Sequence, residues 1–226
     1  MNQFTITNDD ALHAIDLLKH KSIDLIFTSP SPPFSVDIGI GSEPFVTGYI
    51  HNLVYLFSIL KSKLKDTGSL FIQIGDYHDN SGNLRCVPER LMIELQKVWI
   101  LRNKLIWHRP DVVHADEPNR FYRNWEYLLW FTKNKSGYVF KNTEFLSSIF
   151  SIRYKKDPNN KYSSGFPEGI IELIIKWCTN PGDVILDPLC GAGTTGKIAL
   201  RMDRNFIGIE IDKELAAMAN EQLKQV

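Results

Sequence analysis

The feature that most constrains this chain is a glycine-rich loop between a strand-like and a helix-like run near its C-terminus. The strand-like run is 184–186, and the loop 187–196 has the spacing G-x-G-x-x-G from Gly191 onward. Glycines at such a turn let backbone N–H groups approach a ligand at the helix N-terminus. A second strand-like run, 205–209, ends on Glu210, whose carboxylate can accept hydrogen bonds from both ribose hydroxyls. The pattern predicts a nucleoside cofactor site, with a tight turn and an ordinary helix cap as the alternative.

Two classes of nucleoside cofactor share this pattern. A nicotinamide dinucleotide requires several further strands for its second half, and only sixteen residues follow Glu210. S-adenosyl-L-methionine requires less, namely a loop for its methionine end and an acid for its ribose. Asp187 can pair with the α-ammonium of the methionine end, which a pyrophosphate site does not require. The sequence therefore favours S-adenosyl-L-methionine, and a nicotinamide reductase is a distant alternative.

Strand-like and helix-like runs alternate along the chain. Apolar, β-rich runs occur at 23–28, 69–74 and 101–107, and residues 45–65 carry apolar side chains at helical spacing. This alternation predicts an α/β fold with a mostly parallel sheet covered by helices on both faces. With 226 residues and an apolar fraction of 43%, the chain can bury a substantial core, so we expect a single domain over residues 1–226.

Composition argues against several protein classes. The three cysteines lack C-x-x-C spacing, so we expect neither a disulfide framework nor a metal site. We find no signal-peptide pattern and no apolar run long enough for a bilayer, so we expect a cytoplasmic protein without membrane contact. The net charge is zero, yet residues 101–161 hold twelve Lys/Arg against six Asp/Glu. A polyanion partner is one hypothesis for this segment, and a solvated basic face is the other.

A second constellation follows the strand-like run 23–28, where the chain reads Ser-Pro-Ser-Pro-Pro-Phe over residues 29–34. Ligands lie beyond the carboxyl ends of parallel strands, so we expect this loop beside the glycine loop. A serine hydroxyl and a fixed carbonyl can accept hydrogen bonds from an exocyclic amine, and an aromatic ring can stack on the base. The loop therefore suits a planar base that carries an amine. A proline-rich loop without chemistry is the alternative.

Together these motifs resemble a β-class DNA amino-methyltransferase of the N4-cytosine type, the S-P-P-Y/F family of restriction–modification systems. That family places its catalytic motif before its S-adenosyl-L-methionine loop, as this chain does. Further landmarks recur in the family's order at 74–76, 101–107, 126–133 and 166–167. The resemblance covers nearly the whole chain. It implies the Rossmann-like fold of S-adenosyl-L-methionine-dependent methyltransferases, circularly permuted so that the catalytic motif precedes the cofactor motif.

The resemblance also implies roles for individual residues. The usual Thr-Ser-Pro-Pro is extended here by one Ser-Pro step, so Ser29 competes with Ser31 for the catalytic position. We favour Ser31 because it directly precedes Pro-Pro-Phe. The predicted catalytic residues are Ser31, Pro32, Pro33 and Phe34. The predicted cofactor-binding residues are Asp187, Leu189, Gly191, Gly193, Thr194, Thr195, Glu210 and Phe166.

The implied reaction is methyl transfer from S-adenosyl-L-methionine to the N4 amine of a cytosine flipped out of duplex DNA. Serine at the first motif position resembles the N4-cytosine enzymes. The N6 amine of adenine suits the same pocket, so adenine is the alternative base. C5 methylation of cytosine needs a thiolate nucleophile, and none of the three cysteines follows a proline. A non-catalytic module that binds S-adenosyl-L-methionine or nucleic acid is the alternative from another class.

Double-stranded DNA is the implied partner. We expect a short DNA-recognition region at about 108–125 and 134–165, in the basic middle of the chain. A short region implies a short recognition sequence, or one extended by a homodimer or another partner. A cognate restriction endonuclease is implied by the family alone. The candidate DNA-contacting residues, most of them expected at phosphates, are Arg109, Arg120, Arg123, Lys155 and Lys156.

Overall fold

The computed structural model describes residues 2–111, 121–141, 146–153 and 167–226. The strands are β1 (Phe4–Asn8), β2 (Ile23–Thr28), β3 (Leu64–Ile74), β4 (Ile100–His108), β5 (Trp125–Thr132), β6 (Ile149–Ser151), β7 (Val184–Asp187) and β8 (Asn205–Glu210). The helices are α1 (Ala11–Ala14), α2 (Val46–Lys63), α3 (Val87–Leu95), α4 (Glu168–Cys178), α5 (Thr194–Arg201) and α6 (Lys213–Leu223), and a 3-10 turn (Ile15–Leu17) follows α1.

The strands of the described residues join into one sheet in the order β1-β8-β7-β2-β3-β5-β4-β6. Neighbouring strands are parallel except for β5, which runs antiparallel to both β3 and β4. The prediction of an α/β fold with a mostly parallel sheet is therefore confirmed. Among the described helices, none combines the length and the hydropathy needed to cross a bilayer.

The sheet is buried on both faces because helices cover each of them. β2 lies at its centre, and all six of its residues are buried, as expected for a strand with helices above and below it. Helices α1 to α3 pack on one face, where Leu53 and Leu91 belong to the core. Helices α4 and α5 pack on the other face through Ile174 and Ile198. The apolar runs of the sequence thus account for both halves of the core.

The strand directions bring several loops to one edge of the sheet. β2, β7 and β8 are parallel, so the segments that follow them emerge together. Because β5 runs antiparallel to β3, its first residues lie beside the end of β3, where Ile74 pairs with Tyr127. β4 also ends at this edge, where His108 pairs with Trp125. This is the edge at which ligands bind in open α/β sheets.

Candidate functional site

A cavity of about 600 Å³ opens at this edge, within the size range of small-molecule sites. It is bounded by the loop after β2, the glycine loop after β7 and the end of β8. The two motif loops therefore lie side by side, as expected from the sequence. The predicted site residues that line the cavity are Ser31, Asp187, Leu189, Gly191, Thr194, Thr195 and Glu210, and Ser29 lines it as well.

Glu210 is held in place by two backbone N–H groups. Its Oε2 accepts a hydrogen bond from Gly191 N at 2.8 Å, and its Oε1 accepts one from Asp212 N at 2.9 Å. A carboxylate has about four acceptor sites, so two remain for a ligand such as a ribose. Gly191 has a φ of 52°, and a Cβ added there would meet no atom within 4 Å. The loop thus leaves open space beside an oriented acid.

Asp187 is the most deeply buried acid of the cavity. It accepts hydrogen bonds from the backbone N of Leu189 at 3.2 Å and from the hydroxyl of Thr195 at 2.9 Å. Burial raises the pKa of Asp187 to about 6, although the hydroxyls of Thr28 and Thr195 act in the opposite direction. Its negative charge is therefore destabilised in the empty cavity, and a cationic ligand would stabilise it.

The charge of the cavity decides which ligand class fits it. The acidic lining residues are Asp10, Asp37, Asp187, Glu210 and Asp212. The described lining residues include no Lys, Arg or His. Such a wall repels the pyrophosphate of a dinucleotide and attracts the ammonium and sulfonium groups of S-adenosyl-L-methionine. The donor set and the open space at Gly191 therefore fit S-adenosyl-L-methionine better than a nicotinamide cofactor.

Gly193 differs from its sequence-based role because it does not line the cavity. It precedes α5 with a φ of 87°, and a Cβ added there would lie 3.0 Å from the Cβ of Ala219 in α6. Its glycine character therefore serves the left-handed turn and the close packing of α5 against α6. Sequence inspection could not separate this packing requirement from a cofactor requirement.

The loop after β2 is fixed mainly through its backbone. The carbonyl of Ser31 accepts a hydrogen bond at 2.9 Å from the hydroxyl of Tyr49, whose pKa is raised by its burial in α2. The carbonyl of Pro32 accepts hydrogen bonds from Ser35, through N at 3.3 Å and Oγ at 2.5 Å. Gly41, with a φ of 111°, crosses so close that an added Cβ would lie 3.2 Å from the Pro32 carbonyl oxygen.

Phe34 and the prolines lie outside the cavity lining. Pro33 is buried, whereas Pro32 is exposed. Phe34 has a φ of 63°, a left-handed conformation that a phenylalanine seldom adopts. Its half-exposed ring makes an edge-on contact with Tyr77, with the ring centroids 5.8 Å apart. The aromatic side chain is thus beside the cavity and turned towards Tyr77.

A chain of polar side chains reaches Ser29 from three neighbouring elements. The Ser29 hydroxyl donates to Gln73 Oε1 in β3, and Gln73 Nε2 donates to Glu126 Oε2 in β5. Glu126 Oε1 lies 3.0 Å from Nη1 of Arg109, directly after β4. Burial raises the pKa of Glu126, and the positive charges of Arg109 and Arg123 oppose that rise. Sequence reasoning did not find Gln73 or Glu126 as site residues.

Comparison with known proteins identifies the family. A family model described as DNA methylase, for N6 and N4 methyltransferases, matches residues 23–221. The chain belongs to this N6/N4 DNA methylase family. Its similarity extends over nearly the full length of curated relatives. It is 28% identical to Type II methyltransferase M.Cfr9I of Citrobacter freundii, over 99% of this chain and 89% of that protein. It is 26% identical to DNA adenine methyltransferase YhdJ of Escherichia coli K12, over 97% and 82%.

Solved structures confirm the predicted methyltransferase fold. PvuII DNA methyltransferase (cytosine-N4-specific) superimposes with a TM-score of 0.84 at 19% identity, over 98% of this chain and 86% of that one. A DNA modification methylase of Thermus thermophilus, complexed with S-adenosyl-L-methionine, gives a TM-score of 0.76 at 21% identity, over 99% and 95%. The order of motifs in this N6/N4 DNA methylase is therefore compatible with a complete fold of this class.

The predicted DNA contacts of this N6/N4 DNA methylase are less exposed than the sequence suggests. Arg109 pairs with Glu126 and stacks over the Trp107 ring at 5.3 Å, with 13% of its side chain exposed. Arg123 is half-buried and near Glu126. Arg109 therefore has an internal partner, which a charge count along the sequence could not reveal. Arg120, Lys155, Lys156 and the predicted cofactor residue Phe166 lie outside the described residues.

Proposed function

We propose that this chain is a Type II DNA methyltransferase that methylates the exocyclic N4 amine of cytosine in double-stranded DNA, with S-adenosyl-L-methionine as its methyl donor. The observation that carries this proposal is a single cavity lined by Ser29 and Ser31 on one side and by Gly191 and Glu210 on the other. Such a cavity can hold an amine-bearing base next to a nucleoside cofactor. Family membership supplies the reaction class.

The cofactor end of the proposal rests on charge and hydrogen bonding. Glu210 would accept hydrogen bonds from the ribose, since its carboxylate is already oriented by two N–H groups. Asp187 would face the ammonium group, because a buried acid gains most from a cation. Leu189, Thr194 and Thr195 complete the wall of the cavity. The S-adenosyl-L-methionine complexes of structural neighbours support the same cofactor.

The chain's residues contribute by positioning and by charge. When bound, S-adenosyl-L-methionine supplies a methyl group that the amine nitrogen displaces in line, so that a C–N bond forms, the C–S bond breaks and one amine proton leaves to solvent. A serine hydroxyl of the 29–34 loop and a backbone carbonyl would accept from the amine N–H groups and localise the nitrogen lone pair. Phe34 would turn from Tyr77 to stack on the base. Such positioning supplies much of the acceleration in a direct transfer.

The choice of base rests on the first residue of the catalytic motif. Serine is the residue of the N4-cytosine type that the chain resembles, and the PvuII neighbour is cytosine-N4-specific. Adenine is the second candidate, because the relative YhdJ is a DNA adenine methyltransferase. Both bases offer an exocyclic amine on a planar ring, so the cavity shape alone does not separate them.

The proposal extends to a role in restriction–modification, since several relatives are named Type II methyltransferases. A cognate restriction endonuclease and a homodimer are then the further partners to test. DNA contacts are proposed for residues 108–125 and 134–165, with Arg120, Lys155 and Lys156 as the first candidates. Arg109 and Arg123 are weaker candidates because both lie close to Glu126.

The test is mass spectrometry of nucleosides from unmethylated bacterial DNA incubated with the protein and isotope-labelled S-adenosyl-L-methionine. Labelled N4-methylcytosine is the expected product. Labelled N6-methyladenine would retain the reaction class and overturn the base. The control is the double variant Ser29→Ala/Ser31→Ala, which should bind the cofactor and produce no labelled base. Bound cofactor without any labelled base from the unmodified chain would contradict the proposal and favour a binding module.

A further inference from the structure

We infer that Ser29, rather than Ser31, accepts the hydrogen bond of the target amine, and that Glu126 is a positioning residue that orients the Ser29 hydroxyl through Gln73. The inference deepens the proposed function and rests on it, because it concerns the same amine. It differs from the sequence-based choice of Ser31. It also links the catalytic loop to the β4–β5 hairpin, which carries the expected recognition region.

The arrangement follows the order of the strands. Ser29 directly follows β2, Gln73 is near the end of β3, and Glu126 is near the start of β5. These strands are neighbours in the sheet, so the hydrogen bonds from Ser29 to Gln73 and from Gln73 to Glu126 run across its edge. Arg109, after β4, closes the series with its ion pair to Glu126. Four segments far apart in the sequence thereby share one polar network.

The network has a defined direction because a carboxylate can only accept hydrogen bonds. Glu126 therefore receives the NH₂ group of Gln73, and the amide oxygen of Gln73 faces Ser29. Ser29 has one proton and donates it to that oxygen. Its lone pairs remain available on the cavity side, and they can only accept from an amine N–H. This is the polarity that the proposed reaction requires of its serine.

Ser31 lacks such a constraint. Within the described part of the chain its hydroxyl has no hydrogen-bond partner, so nothing fixes the direction of its proton. The contacts that hold Ser31 are made by its backbone carbonyl with Tyr49 and by its Cβ, which would lie 3.3 Å from a Cβ at Gly41. Ser31 therefore shapes the wall of the cavity, whereas Ser29 presents an oriented acceptor.

A purely structural role does not account for this network. An isolated acid and an amide are costly to bury, and a well-packed apolar pair can be equally stable at such a place. Only 17% of the Glu126 side chain is exposed, and the Arg109 guanidinium compensates its charge. Space is left for the acid at Gly75, where an added Cβ would lie 3.4 Å from the Glu126 carboxyl carbon. The sheet edge is built around a hydrogen-bonded acid.

The first experiment compares the two serines by steady-state kinetics with duplex DNA. Ser29→Ala should reduce kcat about 100-fold or more, as removal of a preorganised hydrogen bond at a reacting centre does. Ser31→Ala should reduce kcat less than tenfold, and neither variant should change the KM for S-adenosyl-L-methionine. The matched control is Ser69→Ala, which removes another buried hydrogen bond in β3, to Trp130. It should lower the melting temperature and leave kcat unchanged.

The second experiment tests the direction of the network. Glu126→Gln leaves two amides whose orientation is undetermined, so kcat should fall about tenfold at unchanged KM, equivalent to about 1.4 kcal/mol. The double variant Gln73→Glu/Glu126→Gln should recover most of that loss. Its carboxylate at position 73 can accept from both the Ser29 hydroxyl and the amide at position 126. Recovery by exchange of the two side chains is not expected from a structural defect.

Each outcome decides the inference. Ser31→Ala as the damaging change, an unaffected Glu126→Gln, or a double variant without recovery would overturn it. If the Glu126 variants do not fold, the pair of serine variants decides. A chain that methylates no DNA fails the proposed function first and leaves Ser29 without an amine to accept. A chain that methylates DNA but shows equal kcat for Ser29→Ala and the unmodified sequence refutes this inference alone.

Discussion

The two ends of the cavity are held in different ways. At the cofactor end, Glu210 and Asp187 accept hydrogen bonds from backbone N–H groups within a few residues of the glycine loop. At the catalytic end, Ser29 is oriented by the side chains of Gln73 and Glu126, which come from other strands. Backbone donors remain in place whenever the loop folds. A series of side chains loses its direction when any one member changes, so the two ends should respond differently to substitution.

The largest expected effect is at the cofactor end. Glu210→Ala removes the acceptor for the Gly191 and Asp212 N–H groups together with the proposed ribose acceptor. Affinity for S-adenosyl-L-methionine should fall about 100-fold, since hydrogen bonds to a charged group contribute about 1.5–3 kcal/mol each. Isothermal titration calorimetry measures this change. Glu221→Ala, in the exposed pair with Lys224, is the control and should bind normally. Unchanged affinity of Glu210→Ala would contradict the ribose assignment.

The next effect concerns stability. Gly193→Ala places a Cβ in a left-handed conformation and 3.0 Å from Ala219, so the free energy of unfolding should fall by about 1–2 kcal/mol or more. Gly169→Ala is a matched control in α4, where an added Cβ meets no atom within 4 Å. Chemical denaturation of both variants measures the difference. Equal stabilities would show that the close approach of α5 to α6 does not require a glycine.

A pH titration separates the two ends further. Asp187 has a pKa of about 6, above its ordinary 3.8, so the empty cavity takes up a proton as the pH falls through about 6. A cationic ligand prefers the charged form. The Kd for S-adenosyl-L-methionine should therefore rise by up to about tenfold per pH unit below that value, the limit for one proton. Above pH 7 the Kd should be constant.

Stability should show the opposite trend for this group. Its raised pKa means that the charged carboxylate destabilises the folded chain above about pH 6, and the penalty fades as the pH falls towards 3.8. Asp187→Asn serves as the reference in both measurements and should flatten both profiles. A Kd that depends on pH equally in Asp187→Asn would assign the titration to another group.

The smallest expected effect is on DNA binding. The guanidinium of Arg109 is engaged with Glu126, so Arg109→Ala should leave the salt dependence of DNA binding unchanged while it lowers the melting temperature. Arg120→Ala should reduce the slope of log K against log salt by about one, the contribution of one phosphate contact. Fluorescence anisotropy over a range of salt concentrations measures both. A reduced slope for Arg109→Ala would restore its predicted role at the DNA.

The sequence was sufficient where function depends on neighbours along the chain. The order strand, glycine loop, helix and strand up to Glu210 predicted the cofactor end, and the alternation of apolar runs predicted the sheet. Gln73 and Glu126 could not be found this way, because they meet only through the antiparallel pairing of β5 with β3. The one available signal was a glutamine within the apolar run 70–74.

Gly193 and Arg109 show the complementary difficulty. The sequence grouped Gly193 with the cofactor residues because it belongs to the glycine pattern, although its constraint comes from Ala219 in another helix. It grouped Arg109 with the DNA contacts because of local charge, although its partner is Glu126 in the next strand. Residue type and spacing identify what a side chain can do, whereas its partner depends on the packing of distant segments.

The closed end of the β4–β5 hairpin has a consequence for how such enzymes can diversify. His108 pairs with Trp125, and Arg109 N donates to the carbonyl of Asn124 at 2.6 Å, so the sheet is complete before the connecting segment begins. Doubling the length of a flexible connection costs only about 0.6 kcal/mol. Descendants of one ancestor can therefore insert, delete or exchange this segment and acquire a new target sequence at little thermodynamic cost. The Arg109–Glu126 pair marks the boundary that such exchanges have to respect.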